Sequence, residues 1–175
     1  VTLWNDISWN WFHVDQAQFI SQPTFSNNAS DNINWRPVVS FPTSIFTYLD
    51  FHTSFDVNWA NDYTLIAVLR NNTFSGWTFV ESITFDKAKW VTKTFYNWKD
   101  QAYDKNATWS IDISAFTSDG SFAVWGYWFK FDLAEVLVYN KVLPQVDIEV
   151  IESYLALKYW VELRWHNYYN SAKTP

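Results

Sequence analysis

Residues 133–160, LAEVLVYNKVLPQVDIEVIESYLALKYW, constrain the fold more than any other stretch. The first seven, 133–139, are dense in β-branched and aromatic side chains, which suits a strand with at least one buried face. Asn140-Lys141 breaks the run as a turn does. Pro144 suits the first turn of a helix, where a missing N–H costs nothing. Asp147 and Glu149 follow, where carboxylates complement the positive end of the helix dipole. Ile151, Tyr154, Leu155 and Lys158-Tyr159 recur at i, i+3, i+4, so the spacing predicts one amphipathic helix of about four turns.

The middle of the chain reads as strands. Residues 63–70 form a candidate central strand, and 77–85 with 89–95 a hairpin around Asp86-Lys87. Residues 109–113 alternate Trp, Ile and Ile with Ser and Asp, at the period of a half-buried strand. Residues 122–129 are a further strand. Turn signals fall at Asn27-Asn28, Asn71-Asn72, Asp104-Lys105-Asn106 and Ser118-Asp119-Gly120. Many short strands so spaced predict an all-β sandwich.

At 175 residues the chain is one domain, and 49% hydrophobic content is ample for a core. No run of 18 apolar residues offers a membrane-spanning helix, and no basic leader with an apolar stretch opens the sequence. A net charge of −6 argues against nucleic acid or an anionic membrane surface as partner. Without cysteine there is neither a disulfide nor thiol chemistry. One balance is abnormal: 13 Trp stand against 3 Gly, where average usage gives roughly 12 Gly. Turn-rich β proteins need glycine wherever φ is positive.

The wording of several segments resembles a known family. A strand ending AEVLVYN and a helix ending ESYLALKY resemble the closing segment of laminin-G-like, concanavalin A-like jelly-roll domains. The likeness is to those of large Bacteroidota cell-surface proteins of the gliding-adhesin type. The opening VTLWNDISWNWFH is similar to the family's W-x-D-x-S-G-N-G-N-H, with Trp4, Asp6, Ser8, Asn10 and His13 in matching places. Residues 34–41, NWRPVVSF, resemble N-G-R-P-V-V-S-F, and Tyr48-Leu49-Asp50-Phe51 matches the short strand after it. Residues 58–70 resemble a loop entering a central strand. The likeness covers both ends and the first half, and is vague across 75–108. It implies a concanavalin A-like β-sandwich (jelly roll) of antiparallel strands with one C-terminal amphipathic helix. It further implies a domain over 1–160 that lacks the family's first strand, and an extension over 161–175 towards further chain.

Large aromatics occupy the family's glycine positions at Trp9, Trp11, Trp35, Trp59, Phe131 and Trp160. Left-handed backbone costs a non-glycine residue about 1–2 kcal/mol. Six such penalties are a large share of a net stability of about 5–15 kcal/mol. Two readings stay open: real aromatics on rebuilt loops, or letters that differ from the biological residues. Ordinary φ values at all five Trp would count against the second, and intact mass decides. For this reason these residues do not count towards a sugar-stacking platform. Most other aromatics, Phe41, Tyr63, Trp109, Trp125 and Tyr139 among them, fall in strand patterns.

Candidate chemistry is sparse. Retaining glycosidases need two carboxylates about 5–5.5 Å apart. The nearest pattern, Asp147-x-Glu149-x-x-Glu152, lies on the predicted helix and reads as a solvated face. Asp132-x-x-Glu135 reads as structural, hydrogen-bonding a loop. His13, His52 and His166 lack metal-ligand spacing, and no phosphate loop or nucleophile elbow is present. The loop Asp6-x-Ser8-x-Asn10, with Asp50 or Asp62, carries hard oxygen donors suited to calcium. An Asx-turn that shapes the loop is the plainer account. Sequons occur at Asn28, Asn71 and Asn106, compatible with surface loops; in a bacterial protein such triplets are usually chance.

The resemblance implies a non-catalytic recognition or adhesion module at the cell surface or outside the cell. Its partners would be a glycan or surface polymer and neighbouring domains of the same polypeptide, with calcium as the one candidate cofactor at Asp6, Asn10 and Asp50. A structural spacer in a filament or stalk is the alternative, and a glycoside hydrolase the third reading.

Overall fold

The computed structural model describes residues 3–4, 14–15, 23–41, 47–51, 62–72, 77–86, 88, 91–96, 115–116, 122–126, 130–163 and 168. They form two sheets. In the smaller, the strands run in the order β1 (Leu3–Trp4), β2 (Val14–Asp15), β5 (Thr47–Phe51), β10 (Phe122–Gly126), β9 (Ala115–Phe116). In the larger, the order is β3 (Thr24–Ser26), β4 (Val38–Phe41), β11 (Phe131–Tyr139), β6 (Tyr63–Asn71), β7 (Trp77–Asp86), β8 (Val91–Tyr96). Every strand pairing among the described residues is antiparallel. The expected hairpin is present, with Asp86 of β7 opposite Val91 of β8. The strand expected over 109–113 lies outside the described residues.

β6 is central, as its sequence predicts. It is flanked by β7 along its whole length and by β11 from Thr64 to Asn71, and Leu65, Ile66, Ala67, Val68 and Leu69 each have 0% exposure. Five successive buried residues mean that both faces of this strand are covered, since neighbours point to opposite sides. One face carries the helix. Ile66 and Val68 pack with Val38 and Val80 against Ile148, Leu155, Ala156 and Tyr159. The other face holds buried Leu65 and Leu69, with Leu133 opposite Leu69 and Phe131 opposite Asn71, both of them buried too. There Phe131 stacks on Phe41, ring centroids 4.4 Å apart.

The helix α1 spans Gln145–Tyr159. Pro144 falls one residue earlier than expected, at the N-cap, with φ −55° and ψ 145°. Its carbonyl accepts the N–H groups of Asp147 and Ile148 at 2.9 and 3.2 Å. Asp147 in the first turn and Lys158 in the last complement the helix dipole. The buried stripe differs from the expected one. Ile148, Glu152, Ser153, Leu155, Ala156 and Tyr159 face inward, whereas Tyr154 is exposed and Ile151 half-buried. The helix is apolar on more than one side, so period alone left the inward stripe ambiguous; contact with β6 and β7 selects it. The core also continues past the helix, through Val161 and Leu163.

Two of the expected glycine-type positions have glycine-type backbone. Ile33 and Arg36 exchange both backbone hydrogen bonds at 3.1 Å, closing a two-residue turn in which Asn34 and Trp35 have φ of 48° and 62°. Positive φ at both central residues is the type I′ arrangement, for which Asn-Gly is the favoured pair. At the helix C-terminus Trp160 has φ 56° and ψ 41°. Its N–H and that of Val161 both reach the carbonyl of Ala156, and the second bond is the Schellman closure that normally selects glycine. Phe131 departs from the glycine expectation: it lies in β11 without positive φ and is 1% exposed. Trp9, Trp11 and Trp59 lie outside the described residues.

The indoles of Trp35 and Trp160 are 78% and 80% exposed, so little packing offsets the backbone cost. Trp35→Gly and Trp160→Gly should each raise the unfolding free energy by about 1 kcal/mol in urea titrations, with Trp→Ala giving no such gain. Lower stability in both glycine variants would contradict strain at these turns.

Candidate functional site: the helix-bearing face of the larger sheet

Several buried polar groups of the described residues lie on the face that carries α1, while buried Glu81 of β7, opposite Ala67, lies on the other. Alternation places Thr64, Ile66, Val68 and Arg70 of β6 on this side, with Ser82 of β7 beside Ile66 and Ser40 of β4 beside Asp132 of β11. A β-bulge between Leu133 and Glu135 shifts the register of β11 by one residue. Residues three apart in a regular strand face opposite sides, so the bulge is what brings Asp132 and Glu135 to one face.

Asp132 is 2% exposed and fully engaged. Arg70 donates to its Oδ2 through Nε at 3.0 Å and Nη2 at 2.6 Å, and Asn72 Nδ2 donates to the same oxygen at 2.6 Å. Ser40 Oγ donates to Oδ1. Arg70 continues to the loop above, donating to the carbonyls of Asp31 and Asn32. Asp31 in turn accepts from Ser26 Oγ at 2.7 Å and Ser30 Oγ at 3.1 Å. Those two hydroxyls hold its carboxyl below the ordinary value against the opposing effect of burial, with weaker help from Asn28 and the Arg70 charge. The stability Asp31 contributes is present above 3.8 and is lost as pH falls through its lower folded value.

Glu135 forms the second cluster. Its Oε2 accepts from Lys158 Nζ at 2.6 Å and Tyr159 Oη at 2.7 Å, tying β11 to the last turn of α1. Lys158 Nζ also lies 5.5 Å from the ring centroids of Tyr154 and Tyr159, and Arg36 lies 5.6 Å from that of Tyr159. Asn34 Nδ2 donates to the Lys158 carbonyl at 2.8 Å, satisfying an otherwise orphaned helix carbonyl. Thr64 works at the other helix end: its Oγ1 donates to Lys141 O and accepts from Leu143 N, both at 2.9 Å. A third contact is internal: Ser82 Oγ donates to Glu152 Oε1 at 2.5 Å, with both residues buried.

Against the sequence expectations, Asp132 does help hold a loop, acting through Arg70, while Glu135 holds the helix instead. The solvated-face reading of Asp147, Glu149 and Glu152 needs correction, because Glu152 is 4% exposed and turns into the core to meet Ser82. Asp6 and Asn10 lie outside the described residues. Asp50 lies on β5, at the register position shared with Asp15 on β2 and Ala123 on β10. Asp62 is exposed. Among the described residues no group of three His, Cys, Asp or Glu is placed to hold a metal ion, and no helix is long and apolar enough to cross a membrane. The sequence reading missed Arg70, Asn72, Ser40 and Ser82, which meet their acids only through sheet pairing and helix packing.

Comparison with family models, with curated proteins and with solved structures finds no match to this chain.

Removing one member of a buried ion pair costs about 3–5 kcal/mol, because the other charge is left unpaired. Asp132→Ala should therefore lower stability by about that amount. It should also speed amide exchange at Asp31 and Asn32, whose carbonyls Arg70 holds. A loss below about 0.5 kcal/mol, the ordinary surface range, would refute the assignment.

Burial raises the Tyr159 hydroxyl above its ordinary value of 10.0; the hydrogen bond and charge of Glu135 add to this, and the Arg36 charge opposes it. A raised folded value means the stabilising contribution is complete below pH 10.0 and is lost as pH rises towards the folded value. Tyr159→Phe should flatten the alkaline limb of the stability profile, measured by denaturant titration between pH 9 and 11, about the ordinary tyrosine value. An unchanged limb would show that Tyr159 carries no such linkage.

Proposed function

We propose that this chain is a non-catalytic recognition or adhesion module on a concanavalin A-like β-sandwich, part of a secreted or cell-surface protein that holds a glycan or surface polymer. The observation that carries the reading is the use of its acids. Asp132, Glu135 and Glu152, drawn from the two sequence patterns closest to a carboxylate pair, are engaged as struts between strands, loop and helix. Four donors surround the Asp132 carboxylate, a poor setting for a group that must exchange protons with substrate. The sandwich itself is supported by the burial of both faces of β6. Helix α1 covers one face; a second sheet is the natural cover for the other, and the five-stranded sheet is the available partner.

The test is a glycan array probed with the intact protein, with and without a calcium chelator, beside a β-glucan hydrolysis assay. Retention on a defined glycan class without hydrolysis is the expected result. Chelator-sensitive retention that is lost on substitution of Asp6, Asn10 or Asp50 would assign calcium to those residues. No retention on any glycan or extracted surface polymer would overturn the recognition reading in favour of a spacer. Hydrolysis abolished by a single carboxylate substitution would overturn it in favour of an enzyme.

A further inference from the structure

We propose that Asn28 is an attachment site for an N-linked glycan that the folded chain accommodates, and that Asn71 is not. Both head an Asn-x-Ser/Thr sequon, Asn28-Ala29-Ser30 and Asn71-Asn72-Thr73, but their surroundings differ.

Residues 27–30 are all exposed and lie outside any strand. The Asn28 carbonyl holds the turn, accepting from the N–H groups of Asp31 and Asn32 at 3.0 and 3.1 Å. Its side-chain amide has only a marginal contact, Nδ2 to Asp31 Oδ2 at 3.5 Å. That contact is at the outer limit of a hydrogen bond, so attaching a sugar there gives up little. The loop beneath is held by Arg70, through the carbonyls of Asp31 and Asn32, and the Asn28 side chain adds to it the weak contact with Asp31 alone. Asn71, in contrast, is in β6, opposite Phe131 on one side and Trp77 on the other. The central residue of its sequon, Asn72, is fastened through its backbone to Lys130 O at 2.9 Å and through Nδ2 to Asp132. An acceptor segment must fit a transferase groove, and here the acceptor residue itself is paired on both sides within the sheet.

The transfer balances with a lipid-pyrophosphate-linked oligosaccharide as donor. Nδ2 of Asn28 forms a bond to the anomeric carbon, the lipid pyrophosphate leaves with the bonding electron pair, and one amide proton passes to a base of the transferase. The proposal is independent of glycan recognition by the chain, since here the sugar is attached covalently.

The experiment is translation of the full chain in microsomes that contain oligosaccharyltransferase, with a known acceptor sequon appended as an internal control. The protease-resistant, folded fraction is then mapped by mass spectrometry. The expected result is a glycan at Asn28, lost in both Asn28→Gln and Ser30→Ala, with Asn71→Gln leaving the pattern unchanged. An unmodified Asn28 in folded protein whose control sequon is occupied would overturn the proposal. So would a glycan at Asn71 in that fraction. If the substituted chains yield no protease-resistant fraction, site mapping of the unsubstituted protein still distinguishes an occupied Asn28 from an unmodified one.

Discussion

The buried pair of Asp132 and Arg70 is the contact on which the helix-bearing face depends. An ionised carboxylate away from water is tolerated only when its charge and lone pairs are met, and here Arg70, Asn72 and Ser40 meet them. The guanidinium does more than neutralise. Its remaining donors hold two carbonyls of the loop above β4, which sets the position of the turn at Asn34. Asn34 then reaches the last turn of α1. One planar side chain thus connects three strands to a loop, and the loop to a helix end. A lysine at position 70 would supply charge without this fork.

Local pattern made much of this fold legible. The ribbon of β11, the turn at Asn140-Lys141 and the helix after Pro144 follow from alternation, turn chemistry and helix-start rules acting over a few residues. The β7–β8 hairpin and the burial of β6 follow in the same way. What stayed hidden was set by contacts distant in sequence. Ser82 and Glu152 lie 70 positions apart, and Ser40 and Asp132 lie 92 apart. No spacing rule joins them until the sheet order is known. Glu152 is the clearest case. Its polarity argues for the solvent side of a helix, and the hydroxyl of Ser82 on β7 is a partner that meets the inward-turned carboxylate.

The two tryptophans at left-handed positions belong to a different class of signal. Position 35 closes a type I′ turn and position 160 a Schellman cap, and each geometry favours glycine for steric reasons independent of the rest of the chain. Here the backbone has the torsion that glycine favours while the side chain is an indole. Phe131 behaves in the opposite way. It fills core volume against Phe41, and a glycine there would leave a void. Identity at the first two positions is governed by backbone torsion, and at the third by packing.

The irregularity in β11 has a consequence for how this chain tolerates insertions and deletions. Upstream of Ala134, even-numbered Asp132 faces the helix side; downstream, odd-numbered Glu135, Leu137 and Tyr139 do. The strand therefore carries a built-in change of phase. Loss of Ala134, the residue without a register partner, would restore a regular ladder with Leu133 opposite Leu69 and Glu135 opposite Val68, and both acids would stay on the helix side. Residue 134 is thus the place in β11 where chain length can change without moving Asp132 or Glu135 from the helix side.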